Sequence, residues 1–140
     1  MSSGVGVNVE CLQAFEELKL RKKYKYIIFK MSDNLKEVVV EKTAETSTYP
    51  EFLENLPADE PRYAVYDFDY EKPGDGQRNK ITFYSWTPDT SKIRQKMVYA
   101  SSKDAIRRQL VGIAVEMQGT DLSEVDYDSV LEKASRFSTA

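Results

Sequence analysis

Histidine is absent from this 140-residue chain, and cysteine occurs once, as Cys11. Without histidine the commonest metal ligand and the commonest general base are missing, which excludes the usual Cys/His zinc sites and any Ser/His or Cys/His catalytic pair within the chain. A single cysteine excludes an internal disulfide, and its place on an apolar helix face marks it as a small buried hydrophobe rather than a reactive thiol. No run approaches the ~20 apolar residues of a membrane span, and the first residues lack the apolar core of a signal peptide. A soluble intracellular protein is the expectation. Gly74 and Gly76 lack the rest of a dinucleotide fingerprint and serve a turn. Nine tyrosines, six phenylalanines and one tryptophan support a globular core, and the length suits one domain.

Charge is plentiful but unevenly spread. The chain carries 20 basic and 23 acidic side chains. Ser91 to Leu110, SKIRQKMVYASSKDAIRRQL, holds Lys92, Arg94, Lys96, Lys103, Arg107 and Arg108 against one acid, Asp104, leaving 14 bases and 22 acids in the other 120 residues. A basic island on an acidic protein points to an acidic partner met at one place. Helical spacing puts Lys96, Lys103 and Arg107 in one stripe about 16 Å long, more than a lone phosphate needs. Ile93, Met97 and Ala100 make an apolar face in the first half of this helix. Tyr99, Ile106 and Leu110 make another, rotated by about a third of a turn, which predicts a bend or break near Ser101 and Ser102. An ordinary amphipathic helix with a solvated basic face has the same spacing, and the charge asymmetry is what favours a binding helix.

Upstream, Met1 to Val7 reads as a mobile arm. Asn8 caps a helix to about Lys19, with Cys11, Ala14, Phe15 and Leu18 on one face. Lys19, Arg21, Lys22, Lys23 and Lys25 follow as solvated charge that complements the helix dipole. Tyr24 to Met31 and Leu35 to Lys42 form a hairpin through Ser32, Asp33 and Asn34. Their adjacent apolar residues, Ile27 to Phe29 and Val38 to Val40, predict strands covered on both faces. A short helix lies around Pro50 to Leu56. Arg62 to Glu71 alternates as a strand, Lys72 to Gln77 turns, and Arg78 to Trp86 returns. Asp67 and Asp69 are carboxylates at strand spacing. With no third polar partner they read as solvated residues, not an acid/base pair. Pro88 or Asp89 starts the basic helix and Gly112 ends it. Ile113 to Gln118 is a fifth strand, parallel to its neighbour because a helical crossover reaches it. A last helix, starting near Ser123 or Asp126, buries Tyr127, Val130, Leu131 and Ala134 and leaves Phe137 to Ala140 as a frayed tail. The sum is one α/β (α+β) domain, a mostly antiparallel mixed sheet of five strands between two layers of helix.

Several stretches together resemble the ADF/cofilin family of actin-binding proteins. They are WTPDTSKIRQKMVYASSKDAIRRQL followed by MQGTDLSEVDYDSVL, the SGV arm at Ser3 to Val5, the helix VECLQAFEELKL and the strand YAVYDFDYE. The likeness covers essentially the whole chain in the family's order, and the short loop between the first two strands is similar to that of fungal-type members. It implies one actin-depolymerising-factor homology domain whose long kinked helix inserts between two actin subdomains. The implied activity is to bind G-actin and F-actin, preferring the ADP form, and to sever and depolymerise filaments, with no enzymatic step, cofactor or metal.

Residue by residue, Ser3, Gly4 and Val5 match the arm that touches actin, and phosphorylation of the serine inactivates many members. Arg94 and Lys96, with Met97 as an apolar neighbour, match the helix positions needed for monomer and filament binding. Lys103, Asp104, Arg107 and Arg108 match its second half, where Lys103, Arg107 and Arg108 also meet phosphoinositide headgroups. Arg78 and Lys80 match a filament pair, and Glu132, Lys133 and Arg136 match further filament contacts, although Lys133 stands where some relatives have arginine. The resemblance also implies cyclase-associated protein and other actin-turnover factors as partners, a monomer, and a place in the cytoplasm at cortical actin, with the nucleus as a second location. A small hydrolase is the weakest rival, because the polar residues form no nucleophile and base constellation, and two further readings stay open. One is a domain of this fold that binds actin without severing, as in twinfilin or coactosin modules. The other is a polyanion-binding module using the same basic stripe, against which the acidic total and the lack of a nucleic-acid module argue.

Overall fold

Strict alternation of side chains along the longest strands builds two cores, one on each face of a sheet. The computed structural model describes residues 4–136, so Ser3 and the tail from Phe137 lie outside the described residues. The strands are β1 (Gly6–Val7), β2 (Tyr26–Met31), β3 (Glu37–Ala44), β4 (Arg62–Lys72), β5 (Gly76–Trp86) and β6 (Val115–Gly119), in the order β1-β3-β2-β4-β5-β6. Pairing is antiparallel through the centre and parallel at both edges, β1 with β3 and β5 with β6. Helices α1 (Val9–Arg21), α2 (Tyr49–Glu54), α3 (Ile93–Arg107) and α4 (Tyr127–Arg136) cover the two faces. This is the mixed sheet between helices that the patterning implies. The additional strand, β1, is the end of the expected arm, held to the sheet by the Gly6 N–H donating to the Lys36 carbonyl at 2.9 Å.

In β4, Ala64, Tyr66, Phe68 and Tyr70 enter one core, which α2 closes with Tyr49 and Phe52 and α4 with Val130 and Ala134. Tyr63 and Val65 enter the other, closed by Cys11, Phe15 and Leu18 of α1 and by Tyr99 and Ile106 of α3. The period of two therefore sorts α1 and α3 to one face and α2 and α4 to the other. A tyrosine has an apolar ring and a polar tip, so burying the ring favours a hydrogen-bond partner for the hydroxyl. The Tyr49 hydroxyl donates to the Val125 carbonyl at 2.7 Å and lies 3.0 Å from the Tyr84 hydroxyl. Burial pushes both hydroxyls well above their ordinary range, so they act as neutral donors.

Four expectations change. In β3 only Val38 is buried while Val39 and Val40 are half-buried, because the strand lies next to the sheet edge where helical cover thins. Tyr127 is 43% exposed, its ring resting on the rims of Tyr49 and Phe68 rather than sinking below them. Asp67 is buried rather than solvated, accepting from Asn79 Nδ2 at 2.9 Å with Lys22 Nζ at 3.5 Å, whereas exposed Asp69 takes Lys25 Nζ at 2.6 Å. Lys19 Nζ donates to the Val111 carbonyl at 2.7 Å. The first lysine cluster thus braces the end of α1 against β4 and against the loop after α3, and is not simply solvated charge.

The helix starts carry the acid-sensitive contacts. Bonds from Thr48 hold Glu51 below its ordinary 4.5, bonds from Thr120 do the same for Glu124, and bonds from Ser123 and Ser129 hold Asp121 and Asp126 below 3.8. A carboxylate with a depressed folded-state pKa stabilises the fold above its unfolded pKa, and that contribution is lost as pH falls through the folded value. With no histidine to titrate, the melting temperature should be level between about pH 7 and pH 5 and drop below about pH 4.5. A thermal melt series reads this directly, and a step near pH 6.5 contradicts it.

Candidate functional site

Helix α3 starts later than expected. Pro88 to Ser91 form a turn closed by the Ser91 N–H on the Pro88 carbonyl at 3.0 Å, and Lys92 is the N-cap, with no side-chain cap bond. Pro88 and Asp89 therefore belong to the approach and not to the first turn. At the other end Arg108 is the C-cap, and Gly112, at φ 105°, lies beyond it in the loop to β6. Of the bend or break expected near Ser101 and Ser102, no break occurs, since the helix is continuous from Ile93 to Arg107. The two apolar faces have another cause. Tyr99, Ser102 and Ile106 face the sheet and are buried, whereas Ile93 is 75% and Met97 66% exposed and Ala100 is exposed as well. One apolar face packs inward and the other faces solvent on the same continuous helix.

Tyrosines fix the inward face. The Tyr99 hydroxyl accepts from the Met31 N–H at 2.8 Å, and the Tyr63 hydroxyl donates to the Tyr99 carbonyl. Their rings meet at 5.2 Å between centroids. Burial raises both hydroxyl pKa values, so each keeps its proton. The Ser101 hydroxyl donates to the Val98 carbonyl at 3.2 Å, a local bond within the helix.

The outward face carries the basic residues in three states. Arg94 is exposed and Lys103 half-buried, and neither has a side-chain partner among the described residues. Lys96 curls back so that Nζ donates to the Asp89 carbonyl at 2.7 Å, which keeps its charge beside the start of the helix. Arg107 is paired, with Nε 2.9 Å from Glu116 Oε1 on β6, while Arg108 Nε donates to the carbonyl of exposed Asp104 at 3.2 Å. The expected stripe of Lys96, Lys103 and Arg107 is therefore continuous in space but not in free charge. Gly4 and Val5 precede β1, which contacts α3, so the arm enters beside this face.

A second group lies on the opposite side of the sheet. Arg78 and Lys80 stand directly across from Tyr70 and Phe68, on the face covered by α2 and α4. On α4, Arg136 Nη1 is 3.7 Å from Glu132 Oε1, and Lys133 Nζ donates to the Glu116 carbonyl at 2.7 Å. Glu116 holds Arg107 by its side chain and Lys133 by its backbone, so β6 is the edge at which the two groups meet. Sequence reasoning missed Glu116. The apolar run Ile113 to Gln118 reads as a strand, but nothing along the chain pairs Glu116 with Arg107.

The polar cleft of about 160 Å³ beside α3 contains Arg62, already held by Glu41 at 2.8 Å and Glu60 at 3.2 Å. Among the described residues no three His, Cys, Asp or Glu side chains are placed to hold a metal ion.

The family relationship agrees with this geometry. Residues 4–135 match the family described as cofilin/tropomyosin-type actin-binding protein. The chain is 60% identical over 136 residues to a cofilin of Mycosarcoma maydis, covering 97% of this chain and 98% of that one. The crystal structure of a Streptomyces griseoflavus cofilin matches with a TM-score of 0.90 at 55% identity, over 95% of this chain and 98% of the other. A coactosin from Entamoeba histolytica, at 18% identity and a TM-score of 0.80 over 96% and 97% of the two chains, shares the fold alone. The chain belongs to the ADF/cofilin family.

The division of α3 into inward and outward faces is testable by urea unfolding. Ile93→Ala and Met97→Ala should each change stability by less than about 0.5 kcal/mol, whereas Ile106→Ala should cost about 2–5 kcal/mol. Equal losses at the three positions contradict the assignment.

Proposed function

We propose that this protein binds monomeric and filamentous actin through the outward face of α3 and engages filaments additionally through the β4–β5 hairpin and α4. By doing so it severs and depolymerises filaments, with ADP-actin as the preferred form. The observation that carries this reading is the surface of α3, where Ile93 and Met97 are 75% and 66% exposed beside Arg94 and Lys96. An apolar ridge with cations at its flank suits a partner that is apolar at the centre of contact and acidic at the rim. No covalent chemistry is required. A protein that favours one twist of the filament shifts the filament population toward it, and boundaries between decorated and bare stretches become weak points.

Regulation follows from the same charges. Phosphoinositide headgroups compete for the second half of α3. There Lys103 and Arg108 are the stronger contributors, since Arg107 is already neutralised by Glu116. Phosphorylation of Ser3 adds about −1.5 to −2 of charge and repels an acidic actin surface. The setting is the actin cytoskeleton of the cytoplasm, with the nucleus as a second location. The protein acts as a monomer alongside cyclase-associated protein and other turnover factors, and nucleic acid is not a partner.

Co-sedimentation with filaments tests the contact. The double variant Arg94→Ala, Lys96→Ala should stay folded yet leave the pellet, and undiminished pelleting rejects those residues. Imaging of single filaments should show breaks with the wild-type protein, and binding without breaks selects the non-severing reading. Ser3→Glu should weaken pelleting, and wild-type affinity removes the arm as a switch. Salt-sensitive RNA binding without actin pelleting restores the polyanion reading.

A further inference from the structure

β3 is an edge strand for most of its length. β1 pairs with it only at Glu37 and Val38, because the chain turns into α1 at Val9. From Val39 to Ala44 the outer side of β3 has no neighbouring strand among the described residues. The Val40 main chain turns outward, and its N–H donates to Glu10 Oε2 at 2.9 Å. The Ala44 carbonyl turns inward to the Lys25 N–H at 2.6 Å, so strand alternation turns the Thr43 main-chain groups outward as well. At Val40 a carboxylate oxygen thus stands where the carbonyl of a next strand would sit. An edge of this kind is a template for one more strand.

Two grooves flank the edge, one on each face of the sheet. Val40 and Thr43 stand opposite Phe29 and Ile27, on the face covered by α1, and line a groove of about 250 Å³ together with Glu10 and Glu17. Lys42 and Ala44 stand opposite Ile28 and Tyr26, on the face covered by α2, and line a groove of about 470 Å³ together with Glu51 and Glu54. Successive side chains of an added strand point to opposite faces, one into each groove. Both grooves are acidic. Lys42 is the one cation among their lining residues, and its Nζ is turned onto Asn55 Oδ1 at 2.7 Å. Glu17 is only loosely paired, 3.6 Å from Arg21 Nε.

We infer that the open length of β3 takes up a strand from a partner protein, an extended basic segment whose main chain pairs at Val40 and Thr43 and whose adjacent Lys or Arg side chains enter the two grooves. Main-chain pairing supplies affinity in this mode, and the pockets for alternate side chains supply selectivity. The partner's carbonyl replaces Glu10 on the Val40 N–H, and the released carboxylate meets an incoming cation. A second copy of this chain fits less well, because pairing edge to edge brings the acidic grooves of both copies together. Glu41, the extra residue where the β2–β3 register shifts, bends the strand and limits pairing to a short segment. None of the residues placed at the actin-binding surface takes part.

The test is an NMR titration of the isotope-labelled full chain with capped hexapeptides. TVKKVT carries two adjacent lysines that point to opposite faces of a strand. It should move the Tyr24, Val40, Thr43 and Asn55 amide signals saturably with a Kd of roughly 1 mM, and slow hydrogen exchange at the Thr43 amide about three- to tenfold. TVEEVT should leave these signals unmoved. TPKKPT keeps the charge but lacks two N–H donors, and should leave Thr43 exchange unchanged. Glu17→Gln combined with Glu54→Gln should weaken TVKKVT binding roughly three- to tenfold while pelleting with actin filaments stays at the wild-type level. Shifts that never saturate, or that appear equally with TVEEVT, overturn the proposal. Equal protection of Thr43 by TPKKPT reduces the contact to surface charge and overturns it too. A dimer in sedimentation equilibrium that shifts the same amides makes a second copy the occupant and rejects the basic partner.

Discussion

Tyr99 is the point on which the binding helix depends. Its hydroxyl takes the Met31 amide of β2 at 2.8 Å, its carbonyl takes the Tyr63 hydroxyl of β4, and its ring lies against that of Tyr63. One residue therefore ties α3 to two strands through both its side chain and its backbone, in a core dry enough to keep both hydroxyls protonated. Buried hydrogen bonds of this kind are strong because water cannot compete for them, and they define one position rather than a range. With the inward face fixed, Ile93, Met97 and the flanking cations project from a rigid support. A docking helix needs that rigidity, since any freedom in it would have to be lost on binding.

Charge is allocated by the same logic. Lysines 19, 22 and 25 reach a carbonyl or a carboxylate of the molecule itself, and Arg62 lies between Glu41 and Glu60. Arg94 and Lys103 have no such partner among the described residues. An unpaired cation on a protein with an acid excess is electrostatically exposed to any acidic partner, which is the condition for steering an encounter to one face. At the β4–β5 hairpin the situation is intermediate, with Arg78 held loosely by Asp75. The two groups sit on opposite faces of one sheet and approach each other at Glu116.

Much of this was legible along the chain because periodicity is a local property. The alternation in Arg62 to Glu71 assigned β4 and both of its faces, and the segment KMVYASSKDA carried the resemblance to the family. The errors were of one kind. Two apolar faces on Ser91 to Leu110 suggested a bend or break where the helix is in fact continuous, since periodicity cannot tell a face buried in the core from a face left to solvent. Asp67 looked solvated because its neighbours Lys22 and Asn79 come from elsewhere in the chain. Tyr127 fits the buried face of α4 by spacing, yet the helix starts at the rim of the core and leaves its ring part-exposed.

By itself the sequence determined the element types, the layering of helices on both sides of a sheet, the concentration of positive charge at Ser91 to Leu110, and the lack of any histidine. These follow from residue order, through side-chain spacing of two or 3.6 and through composition. Tertiary structure alone decided which cations remain free, which apolar face of α3 meets solvent, and that Tyr70 and Arg78 are cross-strand neighbours whose hydroxyl and Nε are buried without a partner among the described residues. Those outcomes depend on partners distant along the chain, brought within hydrogen-bond reach only when the sheet closes its register.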